Sequence, residues 1–200
     1  MKVVVTGFEP FGEHAENPSR LIVRRLGAEG VAGFDLVTAE LPTVFAAAGA
    51  EIRRLLDAHR PDLLLSIGVA SNRSVISVER IGLNLDDTAL PDNAGFATEA
   101  RPIVTSGPLA LAATLPVLAM RAAIGRLGLP VEVSNHAGTY VCNHVLYAAL
   151  HHAAAKGHAT RIGFLHVPQV IDPTAKSNLG LDDLVAAARA ALQAAAGAGA

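Results

Sequence analysis

A single cysteine, Cys142, stands where the pair Gly138-Thr139 runs into an alanine- and leucine-rich stretch, Tyr140 to Lys156, whose composition predicts a helix. A thiol in the first turn of a helix meets unpaired backbone N–H groups and the positive end of the helix dipole. Both favour thiolate, and the sequence therefore predicts a lowered thiol pKa. The same N–H groups can receive an oxyanion. The alternative for a lone cysteine is a small buried hydrophobe.

A thiol nucleophile needs a base to take its proton and later to protonate the leaving group, and histidine titrates in the useful range. Of eight histidines, His59, His151, His152 and His158 fall in or just after alanine-rich helices and read as solvated or stacked surface groups, while His14 sits in a polar loop. His166 differs: it closes the apolar run Ile162-Gly163-Phe164-Leu165 and precedes Val167-Pro168. In parallel α/β sheets the carboxyl ends of strands are where ligands and catalytic groups gather. The third part of such a site is an acceptor that fixes the imidazole tautomer. Glu79 is the candidate, because it interrupts the apolar run Val75-Ile76-Ser77-Val78. Arg80 falls on the opposite strand face and is no automatic mate for it. Asp62, Asp86 and Asp87 are weaker rivals.

Other chemistries lack their minimum parts. There is no HExxH, no cysteine cluster, no glycine-rich phosphate loop and no GxSxG, so zinc, nucleotide, dinucleotide and serine-hydrolase readings have nothing to rest on. His144, His151 and His152 could share a helix face, but no carboxylate completes a metal set. The formal charge of −2, with basic residues scattered along the chain, lacks the footprint of a nucleic-acid binder.

These residues need a scaffold. Short β-branched runs alternate with segments of helical period, the pattern of an α/β sheet covered on both faces. Strands are predicted at Lys2–Thr6, Phe34–Glu40, Asp62–Ser66, Ser74–Asn84, Val131–Ser134 and Arg161–His166. Helices are predicted at Pro18–Gly27, Thr43–His59, Pro116–Leu127, Val141–Lys156 and Gly180–Gln193. Val44, Phe45, Ala48, Ile52, Leu55 and Leu56 form one apolar stripe; Leu181, Leu184, Val185, Ala188 and Leu192 form another. Asp86 to Pro108 shows no convincing period and reads as a long loop: a lid, a substrate wall, a subunit contact or a mobile insertion. No linker composition divides residues 1–200, so one domain is expected, with Ala194–Ala200 frayed at its end. One cysteine permits no internal disulfide. With no signal-peptide pattern and no apolar run of membrane length, the expectation is a soluble cytoplasmic protein.

Five ordered motifs carry a resemblance across nearly the whole chain: VTGFEPFG at 5–12 with Asn17-Pro18 after it, VERIGLN at 78–84, PDN at 91–93, GTYVCNH at 138–144 and GFLHVP at 163–168. They closely resemble the motifs of the pyroglutamyl peptidase I family, also called pyrrolidone carboxyl peptidases. The resemblance implies a single three-layer α/β/α domain with a mixed, twisted central sheet and no cofactor or metal. It implies a cysteine exopeptidase that removes N-terminal pyroglutamate from peptides through a triad falling on Cys142, His166 and Glu79. It further implies assembly as a homodimer or homotetramer. Phe8, Phe11, Tyr140 and Val141 would wall the pyroglutamyl pocket, with Asn17, Thr43 and Val69 as further pocket or support positions. The chain departs from the family at three places. Ala89 stands where many members have an arginine, Val69 where glutamine is frequent, and His136 where threonine is usual. Arg73 and His136 are the candidates to supply the missing cation. A weakly active or inactive member that binds pyroglutamyl or related lactam ligands is the second reading, and a nucleoside phosphorylase-like enzyme, sharing only layered architecture, is a third.

Overall fold

Alternation within the strands decides which helices cover which face. Val3 and Val5 of β1 (Lys2–Phe8) enter one core with Ile22 and Leu26 of α1 (Pro18–Glu29), whereas Val4 and Phe8 enter the other. After β2 (Asp35–Leu41), α2 (Phe45–His59) packs on that second face through Phe45, Ala48, Ile52, Leu55 and Leu56, the stripe visible in the sequence. β3 (Leu63–Val69) returns beside β1. The computed structural model describes residues 1–12, 15–170 and 177–198, so His14 lies outside the described residues.

The predicted strand Ser74–Asn84 is two strands in two sheets. β4 (Ile76–Glu79) stays in the main sheet, while β5 (Ile81–Leu83) leaves it. Arg80 makes the break: its N–H donates to Ser134 O (2.9 Å), while its carbonyl accepts from Ala113 N (2.8 Å). The stretch expected to be structureless also contains strands. β6 (Asp86–Thr88) pairs with β7 (Thr98–Arg101), and β5 pairs with β8 (Ala110–Ala112) just beyond it. Such short ribbons lie on helices rather than in a two-sided core, so they show no apolar alternation.

α3 (Val117–Gly125), β9 (Val131–Ser134), α4 (Val141–Lys156), β10 (Arg161–Val167) and α5 (Leu181–Gly197) complete the chain. The main sheet has the order β2-β1-β3-β10-β4-β9. β2, β1, β3 and β10 are mutually parallel; β4 runs antiparallel to β10 and parallel to β9, which makes the sheet mixed. α1, α3 and α5 cover one face and α2 and α4 the other, three layers in all. Ala194 onward does not fray at once: α5 continues to Gly197 and Ala195 is fully buried. Alanine is the strongest helix former, and its small side chain fits where the helix meets the core. Among the described residues no helix is long and apolar enough to cross a membrane.

α4 is buried nearly all round, with the sheet beneath it and α2 and the small ribbons around it. Asn143 ties it to β5. Its Oδ1 accepts from Leu83 N (2.8 Å), and its Nδ2 donates to Leu83 O and Leu85 O (both 2.9 Å), all from a side chain with no exposure. Asn143→Ala orphans these groups and is expected to destabilise the fold by roughly 3 kcal/mol. Urea unfolding checks this as a lowered midpoint at unchanged slope.

Candidate active site

The chain runs from β1 out to β2 through α1 on one face, then back past β1 to β3 through α2 on the other. A crevice opens at the carboxyl ends of strands where the winding reverses in this way. Phe8 closes β1 and Val69 closes β3 at that point. The cleft there has an empty volume of about 270 Å³, including its open mouth, and is lined by Phe8, Phe11, Asn17, Thr43, Val69, Tyr140, Val141 and Cys142.

β10 lies next to β3 and places His166 level with Gly68. A side chain on Gly68 would put its Cβ 2.7 Å from Cys142 Sγ and 2.9 Å from Phe164 Cζ. The sulfur therefore occupies the space above Gly68, one strand spacing of about 4.8 Å from the strand that carries His166. Cys142 is the second residue of α4, whose first turn has no side-chain cap from Tyr140. On the other side of β10, β4 aligns Glu79 with Phe164, on the strand face that His166 shares. His166 Nδ1 meets Glu79 Oε1 at 2.7 Å. With Nδ1–H donating to the carboxylate, Nε2 is the nitrogen left for the thiol. The Phe164 ring packs against the imidazole with centroids 4.8 Å apart. Gly68→Ala is expected to keep the fold while lowering kcat/KM of any reaction that uses the Cys142 thiol at least about 100-fold, because the sulfur must leave its place. Steady-state kinetics beside a circular dichroism spectrum check this.

Glu79 is fully buried, in a central strand rather than at a wet sheet edge. Burial opposes its ionisation, but the His166 hydrogen bond and charge, the nearby Ser134 hydroxyl and the Arg73 charge outweigh it and hold the carboxyl below the usual range. Arg73 Nη1 donates to the same Oε1 at 2.7 Å. Glu79 Oε2 has no partner in hydrogen-bond geometry among the described residues; Ser134 donates to His136 O (3.1 Å) instead.

The expectation of a lowered thiol pKa is wrong for the resting site. Burial, with the Glu79 charge added to it, pushes the Cys142 thiol up to about 12; Arg73 and the thiol's own backbone N–H only partly oppose this. Helix position favours thiolate, but desolvation of a sulfur packed over Gly68 and near Phe164 is the larger effect. The proton can leave only for an acceptor alongside.

The walls of the cleft are held by bonds that the sequence reading missed. Glu9 is the organiser: its Oε1 accepts from Thr43 N (2.9 Å) and Asn93 Nδ2 (3.0 Å), and its carbonyl accepts from Asn17 Nδ2 (3.0 Å) and Thr43 Oγ1 (3.2 Å). Asn17 also caps α1, its Oδ1 accepting from Ser19 N and Ser19 Oγ. The polar atoms of Asn17 and Thr43 thus serve the loop that carries Phe8 and Phe11. The segment from Asp86 is stitched to the same rim. Asn93 N donates to Thr43 O (3.0 Å), Asp87 N to Thr139 O (3.1 Å) and Tyr140 Oη to Pro91 O (3.0 Å). Burial, with the Asp92 charge, pushes the Tyr140 phenol up to about 12, so it remains a donor. The Tyr140 ring contacts Phe11 and Phe45. The acid between Phe8 and Pro10 was the available signal for Glu9, but an acid in a loop has many uses.

Other candidates lie elsewhere. Asp86 binds His144 Nδ1 (2.9 Å), Asp87 Oδ1 accepts from Ala100 N (3.4 Å) and Asp62 accepts from Lys2 N (2.7 Å), so none of these rivals reaches His166. His144, His151 and His152 disperse to Asp86, the Tyr147 ring and Asp57. His158, expected at the surface, has a side chain only 1% exposed. His136 is exposed and accepts from Gly138 N (3.2 Å), and Ala89 is exposed beyond β6.

A family model described as pyroglutamyl peptidase matches residues 1–198. The pyrrolidone-carboxylate peptidase of Levilactobacillus brevis is 43% identical over 198 residues, 97% of each chain. That of Chromobacterium violaceum is 45% identical over 195 residues, covering 96% of this chain and 90% of the relative. Among solved structures, the pyroglutamyl peptidase I of Bacillus amyloliquefaciens superposes with a TM-score of 0.93 at 34% identity, covering 98% of this chain and 97% of that one. The pyrrolidone carboxyl peptidase from Thermococcus litoralis gives 0.92 at 32% identity, covering 98% and 93%.

Proposed function

The chain belongs to the pyroglutamyl peptidase family, and from that premise we propose that it removes an N-terminal pyroglutamyl residue from peptides through a thioester on Cys142. Cys142 passes its proton to His166 Nε2 as the sulfur attacks the pyroglutamyl carbonyl carbon. The carbonyl oxygen becomes an oxyanion held by the uncapped N–H groups at the start of α4. The imidazolium then protonates the departing amine, and the shortened peptide leaves. His166 next takes a proton from water, the hydroxide attacks the thioester, and pyroglutamate and the free thiol are released. Because desolvation and the Glu79 charge hold the half-buried thiol protonated at rest, the proton transfer to His166 is part of the attack. Glu79 holds the tautomer and balances the imidazolium.

The lactam ring is small, flat and uncharged, and the cleft suits it: Phe8, Phe11, Val69, Tyr140 and Val141 offer apolar surface, and among the described residues no charged side chain lines it. An ordinary N-terminal ammonium entering there loses its hydration without a counter-charge. With alanine at position 89, stabilisation of the oxyanion falls to backbone N–H groups and the helix dipole.

The observation that carries this reading is a half-buried thiol lining an apolar cleft and seated over Gly68, level in the sheet with the His166 that pairs with Glu79. The test is hydrolysis of fluorogenic pyroglutamyl and prolyl amides under reducing conditions. The pyroglutamyl amide is expected to be preferred at least about 100-fold in kcat/KM; equal rates, or no hydrolysis by folded protein, would reject the reading.

A further inference from the structure

Glu79 has two partners on one oxygen. His166 Nδ1 and Arg73 Nη1 each lie 2.7 Å from Oε1. Arg73 belongs to the loop after β3, where its own N–H closes a turn on Ala70 O (3.0 Å) and Ala70 N is anchored to Val167 O at the end of β10 (2.9 Å). The loop that delivers the guanidinium is therefore tied to the strand that delivers His166. Arg73 does not line the cleft.

We propose that Arg73 is a positioning residue of the reaction, which keeps the buried Glu79 carboxylate ionised and aimed at His166 and so sets the lower pH limit of turnover. This rests on the peptidase reading of the site. It gives Arg73 a different task from that of a cation at the oxyanion. The groups facing the carboxylate are His166 from β10, Arg73 from the loop, the Ser134 hydroxyl from β9 and, farther off, the Cys142 thiol from α4. Just past the end of β4, Arg80 is turned away to Asn135 Oδ1 (3.3 Å), and on the neighbouring β9 Glu132 is engaged with Ser77 Oγ (2.8 Å). Arg73 is thus the only permanent cation paired with Glu79 among the described residues.

The sign follows. Burial favours the neutral acid, and the guanidinium opposes it. Without Arg73 the carboxyl takes up a proton at higher pH. A protonated Glu79 no longer balances an imidazolium, so activity is lost earlier as pH falls. The guanidinium also offsets the repulsion between Glu79 and a forming thiolate, so kcat drops even where the carboxylate stays charged.

The experiment compares pH profiles of kcat and kcat/KM for a pyroglutamyl amide in the unaltered protein, Arg73→Met and Arg73→Lys. For Arg73→Met the expectation is a kcat lower by about tenfold or more at neutral pH, an unchanged KM, and an acid limb moved up by roughly one pH unit. Arg73→Lys restores most of the limb position, since it keeps the charge. A folded Arg73→Met protein with an unmoved acid limb overturns the proposal, whether its kcat falls or not, and so does a loss confined to KM. If the unaltered protein does not hydrolyse pyroglutamyl amides, the substrate reading fails by itself. Ring ¹⁵N shifts of His166 then test Arg73 directly: Arg73→Met must lose the Nδ1–H bond to Glu79 at a higher pH than the unaltered protein, and coincident behaviour overturns the proposal.

Discussion

Replacing Cys142 by alanine is expected to lower pyroglutamyl amide hydrolysis at least about 10⁴-fold, with the fold retained. The chain has no second thiol to take over. The loss is in chemistry rather than binding, because the apolar wall of the cleft remains: Phe8, Phe11, Val69, Tyr140 and Val141 are untouched. A pyroglutamyl ligand should therefore still raise the melting temperature of the variant, as mass action requires of anything that binds only the folded state. Cys142→Ser should do no better than alanine by more than a small factor. A hydroxyl is far less acidic than a thiol, and burial and the Glu79 charge, which already push the thiol up to about 12, act against an alkoxide too. Hydrolysis by the alanine variant within about tenfold of the unaltered protein would exclude Cys142 as nucleophile.

Glu79→Gln should lower kcat by about 10³- to 10⁴-fold, with KM nearly unchanged. The amide is close in shape to the carboxylate but removes the anion that balances the imidazolium. It can also turn its NH₂ toward His166 Nδ1, fixing the tautomer that carries its proton on the nitrogen facing the thiol. The change leaves Arg73 without its counter-charge as well. Glu79→Asp keeps the charge but withdraws it by one methylene from a 2.7 Å contact, and is expected to fall between the two. Because Glu79 is wholly buried, circular dichroism and a melting curve must accompany the kinetics. A well-folded Glu79→Gln protein that loses less than about tenfold would remove Glu79 from the positioning role.

Much of the scaffold was legible because its cause is local. β9 and α4 were predicted to the residue, and the other main-sheet strands apart from β4 to within a few residues, since a covered sheet demands apolar runs and α2 and α5 demand stripes. The misses share a physical origin. Arg80 divides one apolar run into two strands through bonds to Ser134 and Ala113, both distant in sequence. β6, β7 and β8 are short ribbons without a buried face of their own to impose a period. His158 is sequestered by its neighbours, not by its place in a helical pattern.

The sequence by itself determined the chemical types: one thiol at a helix start, a histidine at a strand end, an acid in an apolar run, and aromatic residues in a turn. Those follow from composition and period, which are properties of short stretches. Only the tertiary structure decided how they act on each other. It set Gly68 beneath the sulfur, gave Glu79 two partners on one oxygen, and spent the amide of Asn17 and the hydroxyl of Thr43 on the loop around Glu9. It also reversed the expected direction of the thiol pKa. A helix dipole can be read from sequence, whereas the desolvation that outweighs it depends on which distant strands close around the sulfur.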